Sequence, residues 1–113
     1  IDILNMAFHK GSDDRFSDPH YQDWAVAVKS RDDYTCIVCN QRGVELNSHH
    51  MNSWDAHPAD RFDIDNGATL CRNCHESFHK IYGLGKNTKY QFKEFQKFAK
   101  LIIKNAGLKI SNV

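Results

Sequence analysis

Two Cys-x-x-Cys pairs, Cys36/Cys39 and Cys71/Cys74, stand 31 residues apart in a chain of 113, and they constrain the fold more than any other feature. Each pair bends into a tight knuckle that aims two sulfurs at one point. Two knuckles supply the four soft ligands that tetrahedral zinc prefers. The alternatives are two disulfides or four unrelated buried thiols. The N-terminus lacks the charged-then-apolar pattern of a secretory signal, which weighs against the first, and the paired spacing weighs against the second. A site closed by four thiolates has no open position, so this ion is expected to hold structure and do no chemistry.

The length predicts one small domain, in which a structural metal adds stability that a modest core does not supply. Apolar residues make up 41% of the chain, and seven Phe and four Tyr are enough to fill a core. No run of 18 apolar residues occurs, so no membrane span is expected. The first residue is Ile1, which suggests a processed or excised product. Charge is unevenly spread. Residues 1–79 carry 7 Lys and Arg against 13 Asp and Glu, a balance of −6, whereas residues 80–113 carry 8 Lys against Glu94 alone, a balance of +7. A basic C-terminal third suits an anionic partner such as nucleic acid, although a solvated lysine face explains the same count.

Local signals predict a small α+β domain. Residues 1–17 read as an irregular arm and 18–113 as a single domain ending in an amphipathic basic helix. Asp18-Pro19 is a helix-start signal, and Tyr21, Trp24, Ala25 and Val28 recur at helical spacing up to Arg31. Val44 to His50 reads as a strand, Met51 to Asn66 as a long loop, and Ala68 to Leu70 as a second strand. A helix is expected from Arg72 to Tyr82, stopped by Gly83 and Gly85. Thr88 and Gln91 match a capping box for a last helix to about Asn105, closed by Gly107. Phe92, Phe95, Ala99, Ile102 and Ala106 share one face of it, and Lys93, Lys97, Lys100 and Lys104 lie roughly opposite.

Seven His is a high count for this length. His75 and His79 fall one helical turn apart, so both imidazoles lie on one face and can grip one ion. His49 and His50 end the first predicted strand, where neighbours point to opposite faces. One of them can reach the helix ion and the other is free for a different task. The competing reading is that these rings decorate the zinc site, but four Cys already satisfy one ion. His9, His20 and His57 follow no such pattern and are expected at the surface.

The combined string resembles the HNH nuclease family, particularly compact phage-type, homing-endonuclease-like members. It comprises Trp24, Arg31-Asp32-Asp33-Tyr34-Thr35-Cys36-x-x-Cys39, Leu46-x-x-His49-His50, Arg61-Phe62-Asp63-x-Asp65-Asn66-Gly67-x-Thr69-Leu70-Cys71 and Cys74-His75-x-x-x-His79. The resemblance spans about residues 19–95. It implies a ββα-metal (His-Me finger, treble-clef-like) core with a structural zinc and flanking helices. It also implies His49 as the first metal ligand, His50 as general base and Asn66 as the Asn that orders the loop and orients the base. His75 and His79 are implied as further ligands.

The expected activity is metal-dependent hydrolysis of DNA phosphodiesters, leaving 5′-phosphate and 3′-hydroxyl ends. Arg61, Arg72, Lys93, Lys97 and Lys100 are candidate DNA contacts. Expected cofactors are one structural Zn²⁺ and a catalytic divalent ion, Mg²⁺, Mn²⁺, Ni²⁺ or Zn²⁺. The expected setting is a monomer in the cytoplasm, acting on double-stranded DNA, and the resemblance admits a phage-encoded origin. Two other readings remain open: a non-catalytic zinc module that binds nucleic acid, and a related nuclease acting on RNA.

Overall fold

The computed structural model describes the backbone of residues 15–105 and side chains through residue 101. Five main elements follow in order: α1 (Pro19–Arg31), β1 (Leu46–His50), β2 (Gly67–Cys71), α2 (Arg72–Tyr82) and α3 (Lys89–Asn105). The strands form a two-stranded antiparallel sheet in which Leu46 pairs with Cys71 and His50 with Gly67. This is a small α+β fold, as the residue pattern predicts.

The cap signals act as expected. Asp18 accepts from the backbone N–H of His20 at 2.9 Å, and Pro19 occupies the first turn of α1. Thr88 and Gln91 cap α3 reciprocally: the Gln91 N–H donates to Thr88 Oγ1 at 3.1 Å and the Thr88 N–H to Gln91 Oε1 at 3.0 Å. Gly83 ends α2 with φ +90°, a left-handed conformation that a side chain disfavours. Gly107 and Ala106 lie outside the described residues, as do Ile102's side chain, Lys104's and His9.

Three local expectations are corrected. The first strand starts at Leu46, two residues later than expected, because its partner strand ends at Cys71 where α2 begins, leaving Val44 nothing to pair with. The second strand runs one residue further at each end than Ala68 to Leu70. The end of the expected irregular arm, Arg15–Ser17, forms a 3-10 turn held to α1 by a Gln22 Nε2–Phe16 carbonyl bond of 3.0 Å and an edge-on Phe16–Tyr21 contact; residues 1–14 lie outside the described residues. The long loop carries 3-10 turns at Pro58–Asp60 and Ile64–Asn66.

The sheet is a thin wall between two cores, and strand alternation decides which residues enter which. On one face Trp24, Ala25 and Val28 of α1 pack against the sheet; Ser48 Oγ donates to the Ala25 carbonyl at 2.7 Å. On the other face Ala68 and Leu70 join Phe78 of α2 and Phe92 and Phe95 of α3 in the main core. The C-terminus of α1 is pinned to β2. Arg31 donates to the carbonyls of Ile64 (2.8 Å) and Gly67 (2.7 Å), while Asp32 pairs with Arg31 and accepts from the Thr69 N–H at 3.1 Å.

Candidate active site and metal centres

The four Cys sulfurs lie within 4.8 Å of one another, with Cys39 and Cys71 3.6 Å apart. Tetrahedral zinc with bonds of about 2.3 Å would space its sulfurs by roughly 3.8 Å, so the donor set and its size fit zinc. No disulfide joins the four cysteines, and the 3.6 Å between the Cys39 and Cys71 sulfurs is well beyond an S–S bond. Asn40, directly after the first knuckle, adopts φ +65°, a turn conformation that Asn tolerates. Cys71 caps α2, its sulfur accepting from the Cys74 N–H. Burial, opposed by a Gln41 N–H, and the neighbouring charge of Cys36 push the Cys39 thiol up to about 12. Cys74 is pushed up by its hydrogen bonds to the sulfurs of Cys36 and Cys71. Sulfurs this close ionise together only around a cation.

A second cluster lies on the main-core side of the sheet. His49 Nδ1 stands 3.1 Å from His75 Nε2, which stands 3.2 Å from His79 Nε2. Ligand nitrogens on one tetrahedral or octahedral ion are roughly 3 to 3.4 Å apart, given metal–nitrogen bonds near 2.1 Å. The tautomer of His79 follows from its other contact: Nδ1 lies 2.7 Å from the Gly83 carbonyl. A carbonyl only accepts, so Nδ1 carries the proton and Nε2 presents a lone pair. His49 Nε2 and His75 Nδ1 are buried without a hydrogen-bond partner. Burial, reinforced by the charges of His75, His79 and His50, holds His49 well below the usual imidazole range. Burial likewise brings His75 down to about 3 and lowers His79, whose bond to the Gly83 carbonyl opposes the drop. All three rings are therefore neutral near pH 7, the form that binds a cation, and the three nitrogens fit a divalent ion.

His50 points to the opposite face, as strand alternation requires. Its Nε2 lies 2.9 Å from the Arg61 carbonyl, which fixes the proton on Nε2 and leaves Nδ1 as the acceptor. Among the described residues none bonds to Nδ1. Burial lowers its pKa to about 4, assisted by the charges of Arg15 and Arg61 and opposed by the Arg61 carbonyl. Trp24 stacks on the ring at 3.8 Å between centroids, Trp54 meets it edge-on at 5.6 Å, and Tyr21 lies beyond at 6.1 Å.

Asn66 is 1% exposed and spends its side chain on backbone groups. It accepts from the Asn52 N–H at 2.8 Å and donates to the carbonyls of Asn52 and Asp60. Those bonds fold the loop so that the next carbonyl, that of Arg61, meets His50. Asn66 thus touches the loop and not the base. The Arg61 side chain is engaged too: Nε donates to the Trp54 carbonyl at 2.8 Å, and its guanidinium covers the Trp54 ring at 4.4 Å. Arg72 pairs with Glu76 at 3.0 Å and Glu45 at 3.7 Å. Lys93, Lys97 and Lys100 are carried along α3. His20 is exposed, but His57 is half-buried with its Nδ1 sealed and unpartnered, against the surface position expected for it.

Sequence reasoning missed Arg15, whose guanidinium lies 4.5 Å from the Trp54 ring centre, and Asn52, whose Oδ1 accepts the Lys89 N–H at 2.7 Å and ties the loop to α3. Neither carries a local motif. Trp54, in a loop too long to be mere connection, was the one available signal.

The sequence model of the HNH endonuclease family matches residues 36–80. Those residues hold both knuckles, both strands, His49, His50, Asn66, His75 and His79. Anaredoxin of the cyanobacterium Nostoc sp. (strain PCC 7120 / SAG 25.82 / UTEX 2576) is 36% identical over 53 residues, which cover 47% of this chain and 67% of that protein. No solved structure matches the chain. No helix of the described residues is long and apolar enough to cross a membrane. With the family's sequence pattern and the ββα arrangement both present there, residues 36–80 form an HNH endonuclease domain, the family of metal-using phosphodiester hydrolases of nucleic acid.

Proposed function

We propose that this chain nicks double-stranded DNA, with His50 as general base, a catalytic divalent ion on His49, His75 and His79, and a structural zinc on Cys36, Cys39, Cys71 and Cys74. One observation carries the reading: a neutral imidazole with a fixed tautomer and an unengaged Nδ1 stands on the strand residue next to a three-imidazole cluster. A divalent ion held there supplies Lewis acidity for the charge that grows on the phosphate and the leaving oxygen. Imidazole ligands favour Zn²⁺, Ni²⁺ or Mn²⁺ over Mg²⁺, which prefers oxygen.

His50 takes the proton from a water at Nδ1, and that water attacks phosphorus, leaving 5′-phosphate and 3′-hydroxyl ends. A bound phosphate raises the basicity of His50, because its negative charge offsets the arginines and favours the imidazolium. Asn66 holds the loop that presents the Arg61 carbonyl. Arg61, Arg72, Lys93, Lys97 and Lys100 supply positive charge for the backbone of the duplex, which fixes register and carries no sequence information. One site per chain supports single-strand nicking by a monomer. Thiolate zinc sites suit a reducing compartment, which supports an intracellular setting.

The test is supercoiled-plasmid cleavage across Mg²⁺, Mn²⁺, Ni²⁺ and Zn²⁺. Relaxed circles should accumulate before linear product, and His50→Ala should slow cleavage by about 10²- to 10⁴-fold while DNA affinity is kept. Wild-type nicking by that variant would end the base assignment, and binding without cleavage in every metal would favour a non-catalytic module. Faster cleavage of a matched RNA would move the substrate to RNA.

A further inference from the structure

We infer that Trp24, on a helix outside the matched domain, is a positioning residue that sets the ring plane of His50. The inference rests on the reading of His50 as general base. A base ring held at one point still swings about it. The Nε2–Arg61 carbonyl bond is such a point, and it leaves rotation about the hydrogen bond free. Trp24 removes that freedom. Its indole lies 3.8 Å from the imidazole at an interplanar angle of 14°, the closest and most nearly parallel contact His50 makes with any ring among the described residues. The indole is itself held: it is 3% exposed, and its Nε1 donates to the Asp63 carbonyl at 2.8 Å. Trp54 closes the edge of the imidazole at 5.6 Å. Plane and anchor together define where Nδ1 points.

The arrangement has a backbone cause. His50 pairs with Gly67 across the sheet, and Gly67 has no side chain to keep α1 away. A Cβ there would stand 3.0 Å from Trp24 Cζ2. The glycine lets α1 approach the base-bearing end of the hairpin closely enough for flat stacking. The matched segment begins at residue 36, so part of the catalytic geometry is set by a helix that precedes it.

The test uses metal-loaded protein and single-turnover plasmid nicking. Trp24→Leu should lower the rate of the chemical step by about tenfold or more, since small misplacements of reacting groups carry that penalty. The DNA concentration for half-saturation should stay unchanged. Trp24→Phe, which keeps a flat face but loses the Asp63 bond, should recover most of the rate. In the wild-type protein the His50 ring protons should be shifted upfield by the indole ring current. Wild-type chemistry in a folded Trp24→Leu protein overturns the inference, as does equal damage by Leu and Phe, or an unshifted His50 ring. Should Trp24→Leu fail to fold, Trp24→Met against Trp24→Phe decides by the same criterion. His50→Ala, run in parallel, separates the two claims: activity in that variant sinks the base assignment itself, whereas its loss beside an unaffected Trp24→Leu sinks only the role of Trp24.

Discussion

Gly67→Ala is the sharpest test of how α1 is seated. Gly67 has φ −105° and ψ 149°, ordinary extended backbone, so alanine meets no conformational penalty there. It would even reduce unfolded-state entropy, worth about 0.4–1 kcal/mol in its favour. The cost is steric. The new methyl carbon would lie 2.3 Å from Val28 Cγ2, 3.1 Å from Val28 Cγ1 and 3.0 Å from Trp24 Cζ2. Carbon pairs prefer about 3.5–4.0 Å, so the closest pair must part by more than an ångström. Val28 is fully buried and β-branched, hence stiff, and the Trp24 ring is tethered to Asp63. No flexible side chain can give way, and the helix backbone must move. Overpacking of this kind costs about 1–3 kcal/mol, and the absence of slack puts this site at the upper end. Net of the entropy gain, we expect a loss of about 2 kcal/mol, roughly 8 °C in melting temperature. Far-UV circular dichroism melts at fixed zinc would measure it. Val28→Ala removes the closest clashing carbons, so the double variant should be more stable than the sum of the single losses by about 1 kcal/mol. A Gly67→Ala protein that melts with wild type, or a cycle that is simply additive, would refute the packing argument.

Asp32 predicts an acid limit. Burial pushes its carboxyl up, but hydrogen bonds from Arg31 and Thr69 outweigh that and leave it below the usual range. With the folded value below the unfolded one, about 3.9, the stabilisation is present above that pH and fades as pH falls through the folded value. Asp32→Asn should therefore cost about 1–2 kcal/mol at pH 7, with the difference from wild type closing below about pH 4; a gap constant from pH 7 to 3 in urea melts argues against the Asp32–Thr69 link. Chelation, or Cys74→Ser, should unfold the knuckles and abolish cooperative melting, because metal affinity at such sites is folding energy; bound zinc measured by mass spectrometry should fall with it, and a cooperative metal-free protein would contradict a structural ion. Replacing Lys93, Lys97 and Lys100 together by Gln should lower the slope of log affinity against log salt by about 0.9 for each phosphate that these lysines neutralise, and an unchanged slope would remove α3 from the interface.

Much of this protein was legible in the order of its residues because the information is local. The Cys of each pair share one turn, His75 and His79 lie one turn apart on a helix, and caps lie within three residues of what they cap. Spacing of that kind survives without coordinates, so α1 and α2 were bounded correctly and the α+β class followed. Strand ends were less legible. Val44 looks like strand, but pairing needs a partner, and whether one exists at that register is settled much later in the chain, at Cys71.

What only the tertiary structure decided is direction. Strand alternation says that His49 and His50 point opposite ways but not which one meets His75; the family resemblance implied His49, and the structure supplies the physical reason. That choice follows from which face of the sheet receives α1 and which receives α2. The stacking of Trp24 on His50, the Arg61 carbonyl that fixes its tautomer, and the diversion of Asn66 into loop backbone all join residues well separated along the chain. Such contacts depend on how rigid pieces dock, and docking is governed by shape and burial summed over the whole core rather than by any short pattern of residues.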